Sequence, residues 1–173
     1  MNSLLGWSFG GVVAYEAARQ LSVSGVHVRG LLLIDSPLPR DHESLPEEII
    51  THTISGISSS PNPNLLREFK HCARMLSQYN PPAFSSQQQS SIKTVMLQSA
   101  ETFATHGLCG VEYGWLARQD VRDQAIEGWK DLVGANMVVL PIEGNHFEVF
   151  ARDKVSLPTF VANFSLWRRG MSG

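Results

Sequence analysis

Residues 4–13 read LLGWSFGGVV, and this stretch decides the fold that the rest of the chain is expected to build. Gly6 and Gly10 each stand two residues from Ser8, which gives the pattern G-x-S-x-G; we call residues 6–10 the elbow. A nucleophilic serine in a parallel α/β sheet stands on a tight turn between a strand and a helix, and glycines beside it keep side chains from colliding. The pattern therefore predicts a strand, a nucleophilic Ser8, a helix from about Phe9, and a Phe9 N–H that donates to the oxyanion. The alternative is a glycine-rich turn that holds an incidental serine.

Other segments of the chain alternate between strand-like and helix-like patterns. Buried parallel strands are short apolar runs bounded by turn residues, whereas helices carry apolar residues at spacings of three and four. On these grounds we predict strands at 1–6, 26–34, 92–98 and 137–142. We predict helices at 9–25, 64–79, 121–134 and 157–169. The alternation indicates an α/β fold, in which a parallel sheet carries helices on both faces.

Residues from about 40 to 90 interrupt this alternation. They separate two predicted strands by more than an ordinary crossover loop needs. Besides a predicted helix, they contain the polar stretches SGISSSPNPN and SSQQQSS. Asn64 is expected to cap that helix at its start, and the pair Pro81-Pro82 is expected to end it. We interpret residues 40–90 as a helical lid over one edge of the sheet.

Composition limits the functions that the chain can have. Its 173 residues suit a single domain over 1–173, and its net charge of -2 offers no clustered positive surface for nucleic acid. No apolar run approaches the roughly 18 residues of a membrane span, and the N-terminus lacks the pattern of a secretory signal. Cys72 and Cys109 do not form a C-x-x-C pair, and the histidines lack the spacing of metal ligands. The sequence thus predicts a cytoplasmic protein without a metal site, a membrane partner or a nucleic-acid partner.

A nucleophilic serine needs a base, and the base needs an acid that orients it. Of the six histidines, His146 is the favoured base because it directly follows the last predicted strand, where Gly144 eases the turn. Two carboxylates are candidates for the acid. Asp35 and Glu101 each follow a predicted strand, at the edge where sites form in parallel sheets. The residue pattern alone leaves the choice between them open.

Five segments of the chain together resemble one family. They read GWSFGGVVAYEAARQL, GVHVRGLLLIDSPLP, LSQYNPP, TVMLQSAETF and IEGNHFEVF. In this order they closely resemble the C-terminal thioesterase domains of type I polyketide synthases, the fungal ones especially, and related domains of nonribosomal peptide synthetases. The resemblance implies an α/β-hydrolase fold with Ser8 as nucleophile, His146 as base, and Asp35 rather than Glu101 as the orienting acid.

The resemblance also implies a substrate and a partner. An acyl or polyketide chain would reach Ser8 as a thioester on the phosphopantetheine arm of an acyl carrier protein, with no cofactor bound directly. It would leave by hydrolysis or by cyclisation. The apolar side of the lid helix, with Leu65, Phe69 and Leu76, would line the acyl chamber or pack onto the sheet. The other side of that helix, expected to be solvated rather than bound to the carrier protein, has three basic residues: Arg67, Lys70 and Arg74.

Domains of this family place several strands before the elbow, whereas this sequence starts at the elbow strand. The resemblance therefore predicts a truncated domain, with its first strands and the loop of the second oxyanion N–H missing or supplied by a separate N-terminal half. Such a chain is expected to have weak activity or none in isolation. Two alternatives to a carrier-protein thioesterase are a general ester hydrolase of the same fold and a non-catalytic remnant.

Overall fold

The centre of the fold is a four-stranded parallel sheet. The computed structural model describes residues 2–57 and 63–150, and in them the strands lie side by side in chain order. Their bounds are Asn2–Trp7 (β1), Val28–Ile34 (β2), Lys93–Ser99 (β3) and Val138–Ile142 (β4). All three neighbouring pairs are parallel. The four strands expected from the apolar runs are confirmed to within about two residues at each end.

Seven helices lie in the described part of the chain. Their bounds are Phe9–Val23 (α1), Glu47–Ile57 (α2), Pro63–Gln78 (α3), Ser86–Ser91 (α4), His106–Cys109 (α5), Gly114–Ala117 (α6) and Gln119–Val133 (α7). The predicted helices at 9–25, 64–79 and 121–134 are confirmed as α1, α3 and α7. The fourth, at 157–169, lies outside the described residues. Of the helices described, none has both the length and the apolar character needed to cross a membrane.

The order of the strands places α1 and α7 together. Helix α1 connects β1 to β2, and α7 connects β3 to β4, so both crossovers proceed in one direction across the sheet. Right-handed crossovers in one direction put their helices on the same face. Accordingly, Val12 and Tyr15 of α1 share one buried cluster with Trp129 and Leu132 of α7.

Strand β2 shows that both faces of the sheet are buried. Leu31 and Leu33 belong to the cluster of α1 and α7, whereas Leu32 and Ile34 belong to a second cluster. Successive side chains of a strand point to opposite faces, which produces this split. Burial on both faces also explains why residues 31–34 of the strand read LLLI, an apolar run without alternation.

The connection between β2 and β3 carries α2, α3 and α4, within the residues interpreted as the lid. The expected cap of α3 is wrong by one position: the helix starts at Pro63, so Asn64 is its second residue. Proline suits the first helical position because its missing N–H would have no partner there. At the other end the expectation is confirmed, since α3 stops at Gln78, before Pro81.

The sequence pattern did not predict α2, α4, α5 or α6. Most of the polar stretch SSQQQSS forms α4, because a reciprocal cap starts this helix. The Ser85 Oγ accepts the Gln88 N–H at 3.3 Å, and the Gln88 side chain accepts the Ser85 N–H at 2.8 Å. Helices α5 and α6 have 4 residues each, which is too short for a helical period to show.

Candidate active site

Ser8 stands on the turn between β1 and α1. Its backbone has φ 54° and ψ -130°, a conformation that residues other than glycine rarely adopt and that costs about 1–3 kcal/mol. Two backbone hydrogen bonds hold the turn: the Ser8 N–H donates to Ile34 at 2.9 Å, and the Gly11 N–H donates to Ser8 at 2.9 Å. Phe9 is the first residue of α1, where N–H groups have no partner within the helix.

The three glycines around Ser8 differ in how much space surrounds them. A Cβ on Gly6 would lie 2.0 Å from the backbone oxygen of Gly10, and one on Gly11 would lie 1.8 Å from Ser36 Oγ. A Cβ on Gly10 would meet nothing within 4 Å. The expectation that both glycines flanking Ser8 avoid collisions is therefore right for Gly6 and wrong for Gly10, because Gly10 is exposed at the start of α1.

Asp35 and His146 lie together at the carboxyl ends of β2 and β4. His146 Nδ1 is 2.8 Å from Asp35 Oδ2, and the two residues are 4% and 2% exposed. Glu101, the other candidate acid, is exposed, and its backbone N–H donates to the Gly144 carbonyl at 3.1 Å. The carboxylate that the structure pairs with His146 is that of Asp35.

Four donors surround the Asp35 carboxylate. Oδ1 accepts the Ser99 N–H at 2.9 Å and Arg122 Nη2 at 2.6 Å, while Oδ2 accepts the Ser99 hydroxyl at 2.9 Å besides His146. Burial by itself raises the pKa of this carboxyl. The hydrogen bond from His146 and the charge of Arg122 outweigh burial and lower the pKa of Asp35 from 3.8 to about 2. Asp35 is therefore ionised at neutral pH.

The lowered pKa of Asp35 predicts a loss of stability in acid. A carboxyl whose folded pKa lies below its unfolded value stabilises the fold above the unfolded pKa, and this contribution fades as the pH falls from about 3.8 to about 2. The shift corresponds to about 2 kcal/mol. We expect the difference in free energy of unfolding between wild type and Asp35→Asn to shrink by about that amount between roughly pH 5 and pH 2, measured by urea titration. A difference that stays constant over this range would contradict the prediction.

Aromatic rings surround the His146 imidazole. The Trp7 ring stacks on it with centroids 5.1 Å apart, and the Trp115 ring meets it edge-on at 4.8 Å. Trp7 precedes Ser8 in the elbow, so one side chain links the elbow to His146. Gly144 has φ 83°, which confirms that the turn before His146 uses the freedom of a glycine.

An apolar cavity of about 360 Å³ lies over the elbow and His146. Ser8, Phe9 and His146 are in its wall. The lid contributes the rest of one side through α2 and α3, with the side chains of Ile49, Ile50, Leu65, Phe69 and Leu76. The structure thus places the three residues proposed for an acyl chamber around this cavity. Leu76 also belongs to the buried core cluster, so this side chain both lines the cavity and packs in the core.

The polar side chains in the cavity wall include His42 and Tyr113, which were not predicted as site residues. The Tyr113 hydroxyl is hydrogen-bonded to Nε2 of His42. Burial lowers the pKa of His42 to about 4 and raises the pKa of Tyr113, so both are neutral near pH 7. The two residues are 71 positions apart, and no sequence pattern connects them.

The basic side of α3 is exposed. Arg67 forms an ion pair with Glu68 at 3.1 Å, with side chains 73% and 58% exposed, and Lys70 pairs with Glu47. Arg74 lines the same surface depression as Arg67 and Lys70. This agrees with the expected solvated face. Within residues 2–57 and 63–150, no three His, Cys, Asp or Glu side chains are placed to hold a metal ion.

Sequence comparison relates the chain to polyketide synthases. The family model for the thioesterase domain matches residues 3–164. Orsellinic acid synthase from Beauveria bassiana is 34% identical over 84% of this chain and 8% of that protein. Orsellinic acid synthase armB from Armillaria mellea is 32% identical over 84% of this chain and 7% of that protein. The chain thus spans less than a tenth of the length of these relatives.

Solved structures share the fold. The NocB thioesterase domain in covalent complex with a fluorophosphonate nocardicin G analog has a TM-score of 0.61 and 24% identity, over 94% of this chain and 64% of that one. The RedJ thioesterase from the prodiginine pathway of Streptomyces coelicolor has a TM-score of 0.60 and 17% identity, over 94% and 61%. These structures confirm the α/β-hydrolase fold, and the sequence relatives confirm the resemblance to fungal polyketide synthases. The chain therefore belongs to the thioesterase domain family, a family of hydrolytic enzymes.

Proposed function

We propose that the chain is a serine thioesterase that releases an acyl or polyketide chain from an acyl carrier protein. One juxtaposition carries the proposal: the strained Ser8 lines the same apolar cavity as His146, and the buried Asp35 pairs with His146 from behind the cavity wall. Acyl transfer through serine requires a nucleophile, a histidine that acts as its base, and a carboxylate that orients the histidine. The polyketide synthases among the relatives support the substrate class.

In the first half-reaction, His146 accepts the hydroxyl proton of Ser8 as Ser8 Oγ attacks the thioester carbonyl. Asp35 holds the imidazole through Nδ1 and stabilises the imidazolium that forms. The Phe9 N–H and the positive end of the α1 dipole stabilise the oxyanion, for which one donor typically contributes about 3 kcal/mol. The carbon–sulfur bond then breaks, and His146 gives the proton to the departing thiolate. The product is an acyl-Ser8 ester.

In the second half-reaction, a nucleophile attacks the acyl-Ser8 ester. Water gives hydrolysis, whereas a hydroxyl or a carbon nucleophile of the chain itself gives cyclisation. His146 takes the proton of the nucleophile, and it gives this proton to Ser8 Oγ as the bond between Oγ and the acyl carbon breaks.

The cavity and the relatives support an acyl chain tethered to a carrier protein as the substrate. Its wall is mostly aliphatic and aromatic, which suits an uncharged acyl chain packed against Leu65, Phe69 and Leu76. Two of the polar side chains in the wall, His42 and Tyr113, are hydrogen-bonded to each other, which satisfies their polar atoms without a substrate. The relatives are synthases much longer than this chain, which supports a substrate that arrives tethered to a carrier protein through phosphopantetheine.

A fluorophosphonate probe, which reacts with activated serines, tests the role of Ser8. Labelling requires a single reaction at Ser8 and no turnover, so we expect the purified chain to be labelled even where its turnover is weak. We expect its Ser8→Ala variant to remain unlabelled, with matching circular dichroism spectra for the two proteins. Labelling in both proteins would show that another residue reacts. A folded wild type without labelling would contradict the proposal and favour a non-catalytic remnant.

The kind of ester distinguishes a carrier-protein thioesterase from a general ester hydrolase. We expect a higher kcat/KM for an N-acetylcysteamine thioester than for the ethyl ester of the same acid, because N-acetylcysteamine imitates the end of phosphopantetheine. Equal values for the two substrates would favour the general ester hydrolase. Loss of both activities in Ser8→Ala is the matched control.

A further inference from the structure

Arg122 of α7 contacts the carboxylate that orients His146. We infer that Arg122 is a positioning residue, which fixes Asp35 and, through Trp115, the His146 ring in the geometry that the reaction needs. The inference rests on the proposed function, because the orientation of His146 matters only if Ser8 is a nucleophile. Nothing in the sequence pattern assigns Arg122 a role.

A closed network of hydrogen bonds holds the carboxylate. Arg122 Nη2 lies 2.6 Å from Asp35 Oδ1, 2.7 Å from Ser99 Oγ and 3.1 Å from the Ser99 carbonyl oxygen. The Ser99 hydroxyl in turn donates to Asp35 Oδ2 at 2.9 Å, the oxygen that His146 also contacts. Both carboxylate oxygens are therefore tied to Arg122, one directly and one through Ser99. Asp35 cannot rotate without breaking bonds to both residues.

Arg122 also contacts the ring beside His146. Its guanidinium carbon lies 5.7 Å from the centroid of the Trp115 ring, within the range of a cation–π contact. Trp115 meets the His146 ring edge-on at 4.8 Å. Arg122 thus contacts one partner of the Asp35–His146 hydrogen bond directly and the other through Trp115.

A purely stabilising role explains Arg122 poorly. The residue is 2% exposed, and its Nε and Nη1 atoms have no hydrogen-bond partner in the described residues. A buried cation that is only partly satisfied is costly, and a well-packed apolar side chain in its place often gives a more stable protein. Arg122 also lies at the end of the first turn of α7, where the helix dipole disfavours a positive charge. Orientation of Asp35 is the contribution that an apolar residue would not replace.

A double-mutant cycle between Arg122 and Asp35 tests the inference. The variants are Arg122→Gln, Asp35→Asn and the double variant, with thioester turnover measured for each. We expect Arg122→Gln to lower kcat about 10- to 100-fold with KM almost unchanged, the effect of a misplaced catalytic group. In the Asp35→Asn background the same change is expected to lower kcat less than 2-fold, because Arg122 acts through Asp35. Arg122→Lys keeps the charge and is expected to recover part of the loss.

Arg118→Gln is the matched control. Arg118 lies one turn earlier, is exposed, and pairs with Asp120, so its loss should leave turnover unchanged. Full activity in Arg122→Gln, or losses that add up in the double variant, would overturn the inference while the labelling of Ser8 keeps the proposed function intact. If Arg122→Gln does not fold, the comparison of Arg122→Lys with wild type decides: an unchanged kcat overturns the inference, and a lowered kcat with unchanged KM supports it. A wild type without turnover and without Ser8 labelling would overturn both proposals.

Discussion

Gly6→Ala is expected to lower the free energy of unfolding by about 3 kcal/mol or more, which is a large part of the stability of an ordinary domain. The added Cβ would lie 2.0 Å from the Gly10 carbonyl oxygen and 2.5 Å from the Gly11 nitrogen. Both atoms belong to the backbone of α1, so no side chain can move aside. The strand and the helix must separate at the elbow. Urea titration followed by circular dichroism measures the loss.

Gly10→Ala is the matched control for Gly6→Ala. Gly10 is in the first turn of α1, and a Cβ there meets nothing within 4 Å. Alanine is the better helix former, so this variant should be as stable as wild type or up to about 1 kcal/mol more stable. Equal losses in the two variants would show that the packing of the elbow is not the cause.

Asp35→Asn is expected to lower kcat/KM about 10,000-fold, because an amide in place of the carboxylate disturbs both the tautomer and the charge balance of His146. It should also destabilise the fold by about 3–5 kcal/mol, since Arg122 would remain as a buried charge without its counter-ion. The backbone does not add to this loss. Asp35 has φ 42°, a region that asparagine tolerates as well as aspartate does.

Glu101→Gln is the control that separates the two candidate acids. Glu101 also follows a strand, but it is exposed and His146 pairs with Asp35. We expect this variant to keep kcat/KM within about 2-fold of wild type. A large loss of kcat/KM in Glu101→Gln together with a small loss in Asp35→Asn would show that Glu101 is the orienting acid, and it would contradict the triad proposed here.

Strands β2 to β4 and helices α1, α3 and α7 could be predicted because each one has a strong local pattern. Strand β2 is buried on both faces, so residues 31–34 form an apolar run that ends at Asp35. Helix α3 shows apolar residues at helical spacing because one of its sides packs against the rest of the protein. Helix α4 has neither property, and its start depends on a cap between Ser85 and Gln88 that the polar composition concealed.

The site was predictable only in part. The elbow predicted Ser8 as the nucleophile and the order of the strands favoured His146 as the base, but two strand ends each offered a carboxylate. Asp35 reaches His146 across the end of β3, where the backbone and the hydroxyl of Ser99 hold it. That contact depends on the register of three strands, which a residue pattern does not report. The burial of Arg122 was equally hidden, since an arginine in a mostly polar helix is ordinarily exposed.

The backbone conformation of Ser8 has a consequence for anyone who engineers this domain for heat resistance. At φ 54° and ψ -130° a glycine would be unstrained, which would raise the free energy of unfolding by about 1–3 kcal/mol. The greater flexibility of the unfolded chain would lower it by only roughly 0.4–1 kcal/mol. A screen that selects only for a high melting temperature would therefore enrich Ser8→Gly, a more stable protein that lacks the proposed nucleophile. Such a screen therefore has to select for turnover as well, because thermal stability favours glycine at position 8 and the proposed catalysis requires serine.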